Sequence, residues 1–330
     1  PCYAVTFSDG AVLVADAEHQ WLTSTRSARR SCLLGSPPAR TSPLSRDQRH
    51  RASIPRLVTT TEIAVSLRHR GYRNHSVSVC LPLQTPEALL PIDPYVLGVW
   101  LGDGTTADGG ITSADPDIIA AVEATGQIVR KRRDPLSFGL RGLRVQLRAI
   151  GVLGRKHIPA LYLRASESQR RALLAGLLDT DGTVLTEGAV GLDITCRELA
   201  ETTVELIGSL GYRVAMSTCR VRGRREDSST CYRIRFATSD KVFHLPRKAR
   251  LLEERRHDHH VKHRTDRRSI VSVLPVSSVP VRCVQVASRD GLYLAGRSWI
   301  PTHNTAFGIH LALTIAGRGV PVLLLSLEET

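Results

Sequence analysis

Two short stretches of this chain end in the same way. The first reads Tyr95-Val96-Leu97-Gly98-Val99-Trp100-Leu101-Gly102-Asp103-Gly104, and the second reads Leu174-Ala175-Gly176-Leu177-Leu178-Asp179-Thr180-Asp181-Gly182. In each, an apolar helix closes on an acid and a glycine. Leu97 and Leu101 lie one turn apart, as do Gly98 and Gly102. Such glycines let another helix approach closely. If the two helices pack side by side through Gly98 and Gly176, both carboxylates emerge at the same end of the interface. Paired carboxylates there can hold a divalent metal, which can activate water and stabilise a phosphate leaving group.

The surrounding pattern repeats as well. After the first motif come a strand at Gly110 to Thr112, a helix from about Pro116 to Thr125, a strand near Gln127 to Arg130 and a basic hairpin from Arg141 to Arg148. Lys156-His157-Ile158-Pro159 closes that half. The second motif ends a helix that starts at Ser166. Strands near Val184 to Leu185 and Gly191 to Thr195 follow, then a helix over Arg197 to Leu210 and strands over Arg213 to Arg222 and Cys231 to Ala237. Asp181 lies 78 residues after Asp103, a spacing that suits one such unit per half.

Charge narrows the partner. The 330 residues carry 45 basic and 31 acidic side chains, a net charge of +14. That favours a polyanion, nucleic acid first and an acidic membrane surface second. No apolar run reaches spanning length and no signal peptide opens the chain, so a soluble, cytoplasmic protein is expected. Seven scattered cysteines without a CxxC pair argue against a disulfide framework or a structural zinc site. Residues 24–56 hold eight arginines and four prolines against one acid. They read as a loop that is either a solvated linker or a phosphate contact. Residues 247–268 are strongly charged and include His257, His259, His260 and His263. Metal binding is one reading of these, and a solvated linker, favoured by the surrounding arginines, is the other.

The flanks have a different character. Residues 2 to 23 alternate like a hairpin turned at Ser8-Asp9-Gly10. Thr59-Thr60-Thr61-Glu62 looks like a capped helix start, with a short helix to about Arg70 and a strand from Ser76 to Leu83. Strands are expected near Ile270 to Leu274, Arg282 to Ala287 and Leu292 to Leu294. Then comes Ile300-Pro301-Thr302-His303-Asn304-Thr305. An asparagine amide can attack its own carbonyl and cut the following bond. His303 can protonate the leaving amine, and Thr305 can receive an acyl group. A His-Asn pair in a polar loop is the plainer alternative. Past Thr305, an apolar helix and a buried-type strand, Val320 to Leu325, follow.

Set together, these segments resemble known families. The two apolar motifs are similar to the LAGLIDADG (dodecapeptide) motifs of homing endonucleases, over roughly 92 to 245. The second is near consensus, and the first departs at Leu101 and Gly102. The resemblance implies that Asp103 and Asp181 are metal-binding and catalytic, with Mg2+ as cofactor and double-stranded DNA as substrate. Lys156 matches a basic position that assists the cleavage water, and a DNA-backbone contact is the equal alternative.

Asp16-Ala17-Glu18-His19 resembles the intein TxxH block, with Asp for Thr. Arg282 to Val286 through Leu292 to Gly296 resembles the penultimate block, and His303-Asn304 followed by Thr305 resembles the last. The trio Trp21, Cys283 and Thr302 is similar to that of class three inteins. The resemblance implies that Cys283 is the first nucleophile and Thr305 the second. Asn304 would be the cyclising residue, His303 its proton donor and His19 the group that polarises the upstream amide, with Trp21 and Thr302 supporting and no cofactor needed. Residues 305–330 resemble a replicative DnaB-type helicase just after its phosphate loop, with Thr305 and Glu328 at ATP/Mg2+ positions of the intact host.

The resulting expectation is a multi-domain chain. An all-β Hint (hedgehog/intein) splicing fold is interrupted by an α+β LAGLIDADG endonuclease of two pseudo-symmetric halves, and a RecA-like α/β fragment follows. The boundaries are 1–60 for the first splicing part with its basic linker, 61–91 for a linker or DNA-contact region and 92–245 for the endonuclease. They continue with 246–268 for a charged linker, 269–304 for the second splicing part and 305–330 for the helicase fragment. The intein's first block is not found before His19, so incomplete splicing of the chain as given is expected. Its partners would be an intein-less helicase gene and the flanking helicase segments, with a monomeric nuclease and a hexameric intact helicase. Two other readings stand beside this one: an ATP-dependent helicase, and a DNA-binding regulator with a degenerate nuclease core.

Overall fold

The computed structural model describes residues 1–29, 55–221, 229–258, 266–279 and 286–303. They fall into two units. The first comprises Pro1–Ser78, Ser269–Ala295 and 300–330, and the second Val79–Arg268 with Gly296–Trp299.

The first unit opens with the expected hairpin. Strands β1 (Cys2–Phe7) and β2 (Val12–Asp16) pair antiparallel. Gly10 takes a left-handed φ of 88° at the turn, a conformation that favours glycine. Strand β3 (Gln20–Thr23) pairs with β4 (Arg56–Thr59). Helix α1 (Thr60–Val65) starts on a capping box, with the Glu62 amide donating to Thr59 Oγ1 and the Glu62 carboxylate accepting from the Thr59 amide. It stops five residues short of the expected Arg70. Arg70 and Gly71 both adopt left-handed φ values, 49° and 79°. They turn a small hairpin of β5 (Arg68–His69) and β6 (Tyr72–Arg73). Strand β7 (Ser76–Ser78) is also shorter than expected, and Pro82 cannot donate to a ladder.

The second unit contains both motifs. Helix α2 (Pro94–Asp103) begins with Asp93 accepting from the amides of Tyr95 and Val96. It is followed by β8 (Gly110–Thr112), α3 (Pro116–Ala124), β9 (Val129–Lys131) and β10 (Ser137–Leu140), in a sheet of order β8-β10-β9. The basic hairpin expected over Arg141 to Arg148 is instead helix α4 (Leu143–Ala149). Its apparent alternation misleads: Leu143 and Leu147 are one turn apart, both fully buried, and Gly142 at φ 79° leads into the helix.

Helix α5 (Ala160–Leu163) precedes α6 (Glu167–Asp181), which starts on a Ser166/Gln169 capping box. Strands β11 (Thr183–Val184) and β12 (Val190–Ile194), helix α7 (Arg197–Ser209), and strands β13 (Val214–Arg220) and β14 (Thr230–Phe236) complete the second half. Their sheet order is β11-β12-β14-β13. Each half thus runs from a motif helix through strand to a second helix and an antiparallel pair, the second half carrying two strands, β11 and β12, before its second helix. One apolar core, from Leu97 and Trp100 to Leu177 and Ile234, runs under both. Within the segment read as a charged linker, Pro246–Asp258 forms helix α8. His259, His260 and His263 lie outside the described residues, among which no group of three or more His, Cys, Asp or Glu side chains could hold a metal.

Strand β15 (Arg267–Val276) returns to β1, Val5 facing Val273, in a sheet of order β2-β1-β15-β7. Strands β16 (Leu292–Ala295) and β17 (Ile300–His303) form a hairpin. Val5, Phe7, Trp21, Ile63, Val77, Ile270 and Ile300 make the core of this mainly β unit. The strand expected over Arg282 to Ala287 falls mostly outside the described residues, and the RecA-like element over 305–330 falls wholly outside them. The chain is therefore a multi-domain protein of mixed α and β structure.

Candidate functional site

The site in the second unit is made by how closely α2 and α6 meet. A Cβ built on Gly98 would lie 2.9 Å from the Leu177 amide nitrogen and closer still to the Leu173 carbonyl. One built on Gly176 would lie 2.9 Å from the Val99 nitrogen and closer still to the Tyr95 carbonyl. The helices touch backbone to backbone, and the two glycines permit it. Their carboxyl ends consequently come level. Gly102 lies against Thr180, and the Asp181 Oδ2 would stand 3.4 Å from a Cβ at Gly102.

This geometry places Asp103 and Asp181 in one electrostatic cluster with two lysines. Burial, and then the Asp181 charge, push the Asp103 carboxyl up to about 6, against the opposing pull of Lys156 and Lys248. Burial raises Asp181 in the same way, with the same two lysines opposing. Lys156 and Lys248 are each lowered, chiefly by burial, while both carboxylates favour their charged forms. Lys156 donates its ammonium to the Gly102 carbonyl at 3.0 Å, at the end of α2. Lys248 donates to the carbonyls of Leu178 (2.9 Å), Asp179 (2.8 Å) and Gly182 (2.8 Å), at the end of α6. Each motif helix thus has a lysine on its negative end.

The donor set fits a hard divalent cation. Mg2+ takes one or two protein carboxylates and completes its shell with water and substrate phosphate oxygens. Two carboxyls held above their usual range by burial, one of them also by the other's charge, are groups that such a cation would relieve.

Two contributors were missed from the sequence. Asp179 is buried. It accepts from the amides of His244 and Leu245, each at 3.1 Å, and from the Tyr95 hydroxyl at 2.9 Å. It thereby anchors the lead-in to α8, which carries Lys248. A faint signal existed, because each half contains an apolar-Pro pair (Ile158-Pro159, Leu245-Pro246) with a lysine two residues away.

In the first unit, His19 Nε2 and Thr302 Oγ1 are hydrogen-bonded. Thr302 is buried and also donates to the Gln20 carbonyl. The Trp21 ring packs edge-on to His19, with centroids 5.0 Å apart, and its Nε1 donates to Thr60 Oγ1 at 3.0 Å. Burial lowers His19 below the usual imidazole value, the nearby Asp16 opposing and His303 assisting. His303 Nδ1 is buried without a hydrogen-bond partner among the described residues, and its ring crowds Gly291, where a Cβ would meet Nε2 at 2.7 Å. The chain thus brings His19, Trp21 and Thr302 together. Cys283, Asn304, Thr305 and Glu328 lie outside the described residues.

Against this geometry, comparison with known proteins gives three findings. Residues 157–262 match the homing endonuclease family model. Across 312 residues the chain is 47% identical to a replicative DNA helicase DnaB of Mycobacterium intracellulare, covering 94% of this chain and 51% of that protein. A second replicative DNA helicase DnaB, from Mycobacterium leprae, is 58% identical over 40 residues, 12% of this chain and 7% of that one. The chain therefore carries a homing endonuclease domain and is homologous to a replicative DNA helicase, of which it spans about half the length. Among the described residues no helix is long and apolar enough to cross a membrane.

Proposed function

We propose that the chain contains an intein of a replicative helicase whose inserted unit is a LAGLIDADG-type endonuclease, cutting both strands of a helicase gene that lacks the insertion. The observation that carries this is the glycine-mediated contact of α2 and α6, which puts Asp103 and Asp181 into one cluster with Lys156 and Lys248. Asp103 and Asp181 would hold Mg2+, which supplies Lewis-acid polarisation of the phosphate and activation of a water. Lys156 and Lys248 temper the repulsion between the carboxylates and set positive charge beside the position of the phosphate. Lys156 sits inside this cluster, which favours its role at the cleavage water over a contact with the DNA backbone. The excess of basic side chains supplies the general attraction for the duplex.

The test is cleavage of a plasmid bearing the uninterrupted helicase gene in Mg2+. Asp103→Asn and Asp181→Asn should each abolish cutting while leaving binding in place. Binding without any cutting by the unaltered chain would instead favour a DNA-binding regulator.

A second activity is favoured by the contact of His19 with Thr302. We infer that the first unit, within the intact precursor, performs class three protein splicing. Cys283 attacks the upstream junction carbonyl, and the acyl group passes to Thr305. Asn304 then cyclises and cuts the bond to Thr305, with His303 protonating the leaving amine. His19, oriented by Thr302 and packed on Trp21, polarises the upstream amide. Cys283→Ala should block both junctions, whereas Asn304→Ala should leave a branched intermediate, resolved by mass spectrometry of the precursor. The ATPase of the intact helicase, with Thr305 and Glu328 at its nucleotide site, belongs to the spliced host.

A further inference from the structure

Cys219 and Cys231 stand directly opposite each other on β13 and β14. Both are free thiols, Cys231 buried and Cys219 partly exposed. The pair lies two residues from Val221 and Ser229, where the Val221 amide donates to the Ser229 carbonyl, so it too occupies a hydrogen-bonded position of the ladder. Cα atoms of such a pair lie about 5.5 Å apart, inside the roughly 4.4–6.8 Å that a disulfide spans. Burial pushes the Cys231 thiol up, and the neighbouring Cys219 adds to the shift.

The face on which they lie is not the core face. Val190, Leu192, Ile234, Phe236 and Val214 point into the core. The alternate residues, Asp193, Arg233 and Arg235, share the other face with the two cysteines. Arg235 pairs with Asp193 at 2.6 Å and covers Gly191. This is a polar, arginine-bearing surface, and a dithiol is built into it.

We propose that Cys219 and Cys231 form a reversible redox site that closes to an intramolecular disulfide and weakens DNA binding through this face. The second half of the statement rests on the nuclease reading above. In the reaction, the Cys219 thiolate attacks a low-molecular-weight disulfide, forming a mixed disulfide and releasing one thiol. The Cys231 sulfur, losing its proton, attacks the Cys219 sulfur and releases the second thiol. Two protein thiols are oxidised and one small disulfide is reduced. The partly exposed Cys219 is the entry point, and the buried Cys231 resolves. Opposed Cβ atoms on a ladder are about 4.5–5.5 Å apart, wider than the roughly 3.8 Å of a disulfide. Closure therefore draws β13 toward β14 beside Arg233 and Arg235.

The test uses the purified full chain, equilibrated with oxidised and reduced glutathione and analysed by peptide mapping and by binding to a target duplex. The expected result is a Cys219–Cys231 cross-link that a dithiol reductant reverses, with an affinity loss of about tenfold, the scale of one or two lost contacts. Cys231→Ser should stop at the mixed disulfide on Cys219. The double variant C219S/C231S should bind DNA equally in both buffers. The proposal is overturned if Cys196, also partly exposed, takes the mixed disulfide while the pair stays reduced. It is overturned equally if the cross-linked chain binds as the reduced chain does. A cross-link in a chain that binds no DNA even when reduced supports the redox site and removes the nuclease reading instead.

Discussion

Gly98 and Gly176 face each other across the α2–α6 seam, each against the partner helix's backbone and not merely its side chains. A methyl at either position meets a carbonyl that cannot rotate away. Gly98→Ala and Gly176→Ala should therefore cost about 3 kcal/mol, the upper end of overpacking penalties, despite alanine's better helix propensity. Urea unfolding measures the cost, and cleavage should fall with it as the carboxylates move apart. A variant as stable and as active as the parent would show that the seam is looser than this contact implies.

Asp103 links stability to pH with a definite sign. Its carboxyl is raised to about 6 in the folded chain, chiefly by burial and then by Asp181. The stability from holding that proton is fully present below about pH 4 and is lost as pH rises through 6. Asp103→Asn removes the charge without changing shape. It should stabilise the metal-free protein at pH 7 by about 1 kcal/mol, the nominal shift being discounted for the group's partial exposure, and flatten the dependence between pH 4 and 7. The same change should abolish cutting. Chemical denaturation at several pH values, without metal, would contradict this if the variant were destabilised.

How far the sequence led can be seen at this seam. The apolar run, the glycines one turn apart and the terminal acid are local patterns, and local patterns are what a sequence displays. The pairing of Gly98 with Gly176 followed because two such helices have one sensible way to pack. The hairpin misread over Arg141 to Arg148 shows the limit. Arginines spaced between apolar residues satisfy a period of two and a period of 3.6 alike, and burial of Leu143 with Leu147 decides between them. Lys248 was hidden for another reason. It reaches the cluster because Asp179, two residues before Asp181 on α6, holds the amides of His244 and Leu245. That connection spans 65 residues and leaves no periodic trace.

Lys248 should therefore matter as Lys156 does. Lys248→Met keeps the aliphatic stem but removes the charge from the carbonyls of Leu178, Asp179 and Gly182. Cleavage should drop by about 100-fold, the scale of losing one preorganised donor, while duplex binding changes little. Asp179→Ala should produce part of the same loss by releasing the start of α8. If Lys248→Met cuts normally while Lys156→Met does not, the two lysines are not equivalent and Lys248 is a helix cap alone.

His19 gives the first unit the opposite pH response. Burial depresses its pKa, and that of His75 likewise. The stability this brings is fully present above the ordinary imidazole value of about 6.5 and is lost as pH falls through the lower folded values, because the unfolded chain takes up the protons first. His75 contributes through a neutral ring shared between Thr23 Oγ1 (3.1 Å) and Ser66 Oγ (2.9 Å). His19 is hydrogen-bonded to Thr302. Thr302→Val keeps the shape of the residue and deletes the hydroxyl. It should leave the His19 ring without its partner and slow cleavage at the upstream junction by 10-fold or more, about the energy of one buried hydrogen bond to a reacting group. Asn304 cyclisation, carried by other residues, should be less affected. Time courses of the intact precursor at pH 6 and 8, read by mass spectrometry, separate the two steps. Equal slowing of both would mean that Thr302 supports β17 as a whole and does not act through His19.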